Sequence, residues 1–261
     1  MTVPGYVFQA DDRSRLAAAE ELLDDGTQRV LTRIGVASGW RCLEVGAGGG
    51  SIARWLAGIV GSSGQVVATD VDVRQLQGLA NPTIEIRQHD ITSDPLETNS
   101  FDLIHARLVL EHLAERQRVL EKLTQALRPG GWLVVEAVDY VSAVPVGEHG
   151  AALHARTQGV RLDEFSRRGV DHALGRRLPS LLRAHGLAHV ANEGRAWIME
   201  GGSPGARWFK LSLQHLRAGL VQPGLLTDAD VDRMLAYFDD PTWSAVSPLV
   251  VAAWGRRPPP R

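Results

Sequence analysis

Apolar residues recur along the chain with two alternating periods. Arg41-Cys-Leu-Glu-Val45 is a short apolar run that ends in glycines, and it predicts a buried strand. Ile52, Trp55, Leu56 and Ile59 then recur at helical spacing. Val66 to Thr69 predicts the next strand, with Asp70 at its end, and Asp72 to Leu79 predicts a short helix. Ile84 to Arg87 and Phe101 to Ala106 predict further strands. Leu110 to Leu127 predicts an amphipathic helix through Leu113, Val119, Leu120 and Leu123, stopped by Arg128-Pro-Gly-Gly131. Trp132 to Val138 predicts a fifth strand. Strands alternating with helices imply a parallel sheet covered on both faces. Ahead of this unit, Asp11 to Ile34 reads as helical through Leu16, Ala19, Leu22 and Leu23, with Gly26 dividing it into two helices.

After Ser142 the rhythm changes. His149 to Thr157, Leu162 to Arg168 and Leu178 to Ala184 predict helices, separated by turns at Gly159 and Gly169 and followed by one at Gly186. Ala188 to Glu200 holds one or two strands. Gly205 to Leu220 and Asp228 to Phe238 predict helices, the second capped by Thr227 or Asp228. Leu249 to Gly255 predicts a last strand. The 261 residues read as one large domain whose last strands are separated by inserted helices.

Composition narrows the class. The 44% hydrophobic and 22% charged fractions are those of a globular chain and exclude wholesale disorder. A single cysteine, Cys42, excludes a disulfide scaffold and Cys-rich zinc sites, and the nine histidines show no metal-ligand spacing. A net charge of −2 argues against a grip on nucleic acid or an anionic membrane. The first residues lack the basic start and apolar core of a secretory signal, and no apolar run approaches the ~20 residues of a membrane span. The expected compartment is the cytoplasm.

Leu43-Glu-Val-Gly-Ala-Gly-Gly-Gly50 joins a strand to a helix, where glycines let the backbone approach a ligand closely. A dinucleotide fingerprint would place its third glycine at position 51, which is Ser51. Glu44 would repel a pyrophosphate but suits an ammonium group. Three further features follow in order: Asp70 closing Val66-Val-Ala-Thr-Asp; His89-Asp90-Ile91; and Phe101-Asp-Leu-Ile with Leu110-Glu-His-Leu113, closed by Leu127-Arg-Pro-Gly-Gly-Trp-Leu-Val-Val135. With these, Trp40 to Asp139 resembles the class I S-adenosylmethionine-dependent methyltransferases, in particular the ubiquinone/menaquinone-type and natural-product small-molecule enzymes.

The resemblance implies a Rossmann-like α/β sheet, mostly parallel with an antiparallel last strand, with helices on both faces and helical lid insertions. It implies an N-terminal helical lid over 1–36. A methyltransferase domain over 37–261 would carry substrate-pocket insertions at about 142–186 and 203–240. The cofactor would be S-adenosylmethionine, released as S-adenosylhomocysteine. Gly46, Ala47, Gly48 and Gly50 would form its loop. Asp70 would accept the ribose hydroxyls and Asp90 the adenine amine. The Ile91 N–H would meet a ring nitrogen, and Val71 and Ile91 would wall the adenine. Glu44 and the Ala106 carbonyl would face the methionine amino group.

At the reacting end, His112 is the candidate general base for a hydroxyl acceptor. Arg107 is a candidate for the methionine carboxylate or an acidic substrate. Asp139 and Tyr140 follow the fifth strand, where substrate-facing residues are expected, and Tyr6 with Phe8 would form a lid over the methyl. Phe165, Trp197, Trp208, Phe209, Leu213, Leu216 and Trp243 are candidates for an apolar acceptor pocket. The acceptor atom (oxygen, nitrogen or carbon) stays open. The absence of an Asp/Asn-Pro-Pro-Tyr motif after the fourth strand counts against an adenine or amide-like acceptor. An NAD(P)-dependent oxidoreductase and a non-catalytic S-adenosylmethionine-binding partner protein are the alternatives. The expected partner is a small-molecule acceptor, with no nucleic acid and no membrane, and a homodimer is left open.

Overall fold

The computed structural model describes residues 13–221 and 224–259. The order of elements is α1 (Arg13–Arg33), β1 (Arg41–Val45), α2 (Ser51–Val60), β2 (Gln65–Asp70), β3 (Ile84–Gln88), β4 (Phe101–Arg107), α3 (Arg116–Ala126) and β5 (Leu127–Asp139). Then follow β6 (Val144–Pro145), α4 (Ala151–Arg167), α5 (Leu174–Ala184), β7 (Ala188–Arg195), β8 (Ile198–Glu200), α6 (Pro204–Leu220), α7 (Asp228–Tyr237), β9 (Ser244–Val246) and β10 (Leu249–Arg256). Seven strands form the main sheet in the order β3-β2-β1-β4-β5-β10-β7. The first five are parallel, and β10 runs antiparallel to both β5 and β7. Strand order reverses between β1 and β4, so a crevice opens beyond their carboxyl ends, the favoured ligand position in such sheets.

The apolar runs bury as their pattern implies. Leu43, Val67, Ile104, Leu133 and Val135 pack on one sheet face against Leu120 and Leu123 of α3 and Leu178 and Leu182 of α5. Cys42, Val66, Leu103 and Val134 pack on the other against Ile52 and Leu56 of α2 and Val30 and Leu31 of α1. Cys42 is fully buried, and burial pushes its thiol well above the ordinary cysteine range, consistent with an inert core residue. A third cluster, around Trp208, Phe209, Leu213, Leu216, Phe165 and Trp243, holds the helical part of the chain together. Among the described residues no helix is long and apolar enough to cross a membrane.

Several local expectations are corrected. Gly26 does not divide the first helix. A Cβ there would lie 1.3 Å from an Arg195 guanidinium nitrogen, so the glycine makes room for an arginine inside a continuous α1. Gly159 does not form a turn either, and α4 is one helix. Asp72 to Leu79 forms two 3-10 turns. Residues 110–112 form another, which places His112 ahead of α3 and not within it. A second, three-stranded sheet, β6-β9-β8, was not expected from the sequence. Its strands are two or three residues long, too short to carry a readable alternation.

Candidate active site

The glycine loop turns the chain from β1 into α2 at the crevice. Gly46, Gly48 and Gly50 have φ of 66°, 55° and 83°, a region that other residues rarely adopt. A Cβ on Gly46 would also lie 2.4 Å from a methyl of Val109. Asp70, at the tip of β2, is fixed by this loop: Gly48 N–H donates to Oδ2 at 3.0 Å and Asp72 N–H to Oδ1 at 3.1 Å. Burial raises its pKa against the pull of these donors. Each carboxylate oxygen keeps acceptor capacity for a hydroxyl at the cleft.

The next corner is held just as closely. Asp90 Oδ1 accepts from the Thr92 N–H at 2.8 Å and the Thr92 hydroxyl at 2.6 Å. Asp94 accepts from the Asp90 N–H at 2.9 Å. Lys122 spans the loop by donating to the carbonyls of Ile91 and Asp94, both at 2.7 Å. The pattern positions Asp90 and Ile91 with Val71 along one end of the same cleft.

The start of α2 carries two carboxylates contributed by α1. Ser51 N–H donates to Glu20 at 3.4 Å, and Ser51 Oγ donates to Asp24 at 3.1 Å. Burial, followed by the charge of Asp24, raises the Glu20 pKa. In dinucleotide folds this helix terminus receives the pyrophosphate. Here carboxylates already occupy it, so the position repels phosphate and favours a cation.

Beneath α1 runs a chain of charges contributed by four strands of the sheet. Glu44 of β1 accepts from His105 Nδ1 of β4 at 2.7 and 2.9 Å. His105 Nε2 lies 3.4 Å from Glu136 of β5, and Arg195 of β7 donates to the other oxygen of Glu136. Burial works against a charged imidazole, but Glu44 and Glu136 outweigh it and push His105 up to about 9. Burial likewise opposes ionisation of Glu136, and His105, Arg195 and Arg107 hold it down to about 2. Arg107, one strand-turn further on, donates to Asp24 at 2.9 Å and to the Thr27 hydroxyl at 3.0 Å. Glu44 and Arg107 also line the cleft, so this paired network forms its floor.

Most expected cofactor residues therefore meet in one place. Glu44, Gly46, Ala47, Gly48, Asp70, Val71, Asp90, Ile91, Arg107 and His112 all line the cleft. Its volume is about 1390 Å³ with the open mouth included. Three expectations are not met. Gly50 caps α2 and is not part of the lining. Ala106 is fully buried in β4 and is not part of the lining. Asp139 turns away: its carboxylate accepts from Arg176 Nε at 2.8 Å, outside the cleft. Glu44 is nearby but engaged with His105. Tyr6 and Phe8 lie outside the described residues.

Glu20, Asp24, Glu136 and Arg195 were missed by sequence reasoning. For Glu136 a signal existed: a lone carboxylate in the apolar run Trp132 to Val138 must find a cationic partner if the strand is buried. Of the apolar candidates, Trp208 lines the cleft, as does Tyr140. Phe165, Leu216 and Trp243 are core residues, Phe209 and Leu213 line a separate small cavity, and Trp197 lines neither. Among the described residues no cluster of three His, Cys, Asp or Glu side chains could hold a metal ion.

Residues 43–135, from β1 through the glycine loop into β5, match the family model described as a methyltransferase domain. Over that segment the chain is similar to methyltransferase domains. The chain is 31% identical over 141 residues to methyltransferase str2 of Strobilurus tenacellus, covering 53% of this chain and 50% of that one. It is 29% identical over 137 residues to the ubiquinone/menaquinone biosynthesis C-methyltransferase UbiE of Hahella chejuensis, covering 46% and 55%. The chain thus spans about half the length of the curated relatives it matches. Its fold is shared with phosphoethanolamine N-methyltransferase 2 of Haemonchus contortus, solved with S-adenosyl-L-methionine, at a TM-score of 0.59 and 16% identity over 97% of this chain and 60% of that one.

The cleft suits the chemistry of S-adenosylmethionine. Asp70 would accept vicinal hydroxyls there, and Val71, Asp90 and Ile91 would supply apolar walls and an acceptor for adenine. Glu20, whose carboxylate has no cationic side chain bonded to it among the described residues, would give the cleft the acidic character that suits an ammonium or a sulfonium.

Proposed function

We propose that the chain transfers the methyl group of S-adenosylmethionine to a small-molecule acceptor, held between the cofactor cleft and the helical part of the chain. One observation carries this reading. The glycine loop with Glu20 and Glu44, and Leu16, His112, Tyr140 and Trp208, line one and the same cleft. S-adenosylmethionine, when bound, supplies a methyl group activated on a positive sulfur. The chain has to align the acceptor in line with that methyl and keep water out. Tyr140, Trp208 and α1, through Arg15, Leu16 and Ala19, supply this enclosure, and on this reading α1 belongs to an N-terminal lid over 1–36.

His112, buried at the cleft wall, takes the proton when the acceptor is a hydroxyl. A carbon or amine acceptor needs alignment alone. The names of the str2 and UbiE relatives support an acceptor from secondary or quinone-like metabolism, and we place the reaction in the cytoplasm. The test is transfer of labelled methyl from S-adenosylmethionine by the purified chain to the small-molecule fraction of a cell extract. A labelled product is expected; label that stays entirely in the cofactor, or appears only in macromolecules, contradicts the reading.

A further inference from the structure

A second cavity lies in the helical part of the chain, on the far side of Tyr140. One face of α4 builds it: His154, Gln158 and Arg161 follow at helical spacing, with Thr157 beside them. All four are at least nine-tenths buried. Their polar groups are poorly satisfied. Arg161 Nη2 donates to Gln158 Oε1, and Gln158 Nε2 donates to the Tyr140 carbonyl at 2.5 Å. Arg161 Nε, Thr157 Oγ1 and His154 Nδ1 are buried with no hydrogen-bond partner.

Arg161 is the decisive group. Its guanidinium carbon lies 5.2 Å from the ring centre of Tyr140 and 5.2 Å from that of Phe209, so aromatic faces flank the cation. Among the described residues no carboxylate forms an ion pair with it. Burial lowers its pKa to about 10, which leaves it charged at neutral pH. Burial and Arg161 together hold His154 down to about 4, so the histidine is neutral and can offer an N–H. A buried cation without a counter-charge is costly to keep in a fold, which makes an anion the natural occupant. The cavity measures about 350 Å³ with its mouth included, and its enclosed part is about the size of one water.

We infer that this cavity receives the carboxylate of an acidic methyl acceptor, gripped by Arg161 with Thr157 and His154, while the acceptor's reacting atom reaches the cofactor cleft past Tyr140. Phe209, Leu213, Met199 and Phe238 supply apolar contact for the body of the molecule. The acceptor class is an amphipathic carboxylic acid methylated at an atom remote from its carboxylate. The anion's role as acceptor rests on the methyl-transfer reading; its capture by Arg161 does not.

Calorimetric titration with two probes of equal shape tests this. Benzoate and benzamide are titrated into the wild-type chain and Arg161→Met, each saturated with S-adenosylhomocysteine in chloride-free buffer. The wild type is expected to bind benzoate roughly tenfold to hundredfold more tightly than Arg161→Met does, and to bind benzamide no better than the variant binds benzoate. Arg161→Lys, which keeps the charge without the planar fork, retains the preference for benzoate and guards against a folding defect in the first variant. Benzoate binding that is absent, equal to benzamide binding, or unchanged in Arg161→Met overturns the proposal. Formate binding as tightly as benzoate would show a bare-anion site and overturn the acceptor assignment. S-adenosylhomocysteine affinity is read separately and is expected to be equal in all three proteins. Its absence would end the methyltransferase reading, and the benzoate comparison without it would still judge the anion site.

Discussion

The two ends of this molecule treat buried charge in opposite ways. Beneath the cofactor cleft, Glu44, His105, Glu136 and Arg195, contributed by four strands, neutralise one another, and Asp24 and Arg107 form a second pair beside them. On the acceptor side, Arg161 is held between two aromatic rings without a carboxylate, and the Thr157 hydroxyl and His154 Nδ1 are unsatisfied. The first arrangement is balanced in charge before any ligand arrives, although His105 Nε2, Glu136 Oε1 and Arg195 Nη1 also lack a hydrogen-bond partner. The second is complete only when a ligand supplies the missing charge. Burial alone is therefore a poor guide to role; the informative quantity is whether the buried charge is already paired.

Point substitutions test this contrast. The largest effect is expected on turnover with a hydroxyl acceptor, where His112→Ala should lower the rate by about 10²–10⁴ with little change in cofactor affinity. Single-turnover kinetics across roughly pH 6 to 9 checks this, since that range brackets a histidine base. Wild-type turnover with an unchanged pH profile would remove His112 from the chemistry. Next is Glu136→Leu, which strands His105 and Arg195 as buried cations. It should destabilise the fold by about 3–5 kcal/mol in denaturant unfolding. Asp70→Ala should leave the fold intact and weaken S-adenosylhomocysteine binding roughly tenfold to hundredfold, as two charge-assisted hydrogen bonds are lost and water recovers part of them.

The paired network also predicts a pH dependence. The pKa of His105 is raised from 6.5 to about 9 in the folded state. Its contribution to stability is therefore fully present below pH 6.5 and is lost as pH rises through about 9. Glu136 is lowered from 4.5 to about 2, so its contribution holds above pH 4.5 and is lost as pH falls through about 2. Thermal unfolding followed between pH 6.5 and 9 should show a falling midpoint, and His105→Asn should flatten that slope. The smallest effect is expected on the other side: Arg161→Met should unfold at or slightly above the wild-type temperature, because it removes a cation that no carboxylate balances. A large loss of stability there would mean that the ring contacts, and not a ligand, account for the arginine.

Much of the cofactor half is legible in the sequence because its functional residues sit at strand ends. Asp70 and Asp90 each close an apolar run, and the glycines from 46 to 50 follow another, so local pattern together with the family resemblance points to them as cleft residues. The paired network is harder to see, since Glu136 and Arg195 meet only through strand pairing across β10. Gly26 reads as a helix break because nothing local reveals the Arg195 guanidinium beside it. Asp139 and Ala106 follow the resemblance to the right strand ends, but small differences in direction put one against Arg176 and bury the other. On the acceptor side, Gly159 splits α4 in the sequence and hides that His154, Gln158 and Arg161 share one helical face. An unpaired arginine is invisible in sequence, because pairing is a property of the whole interior.

The central claim is that the acidic, glycine-lined cleft holds S-adenosylmethionine and not a dinucleotide. Calorimetric titration of the wild-type chain with S-adenosylmethionine and, separately, with NADH tests it most directly. Saturable binding of S-adenosylmethionine with no comparable binding of NADH is the predicted result. Tight NADH binding with none of S-adenosylmethionine would contradict the account.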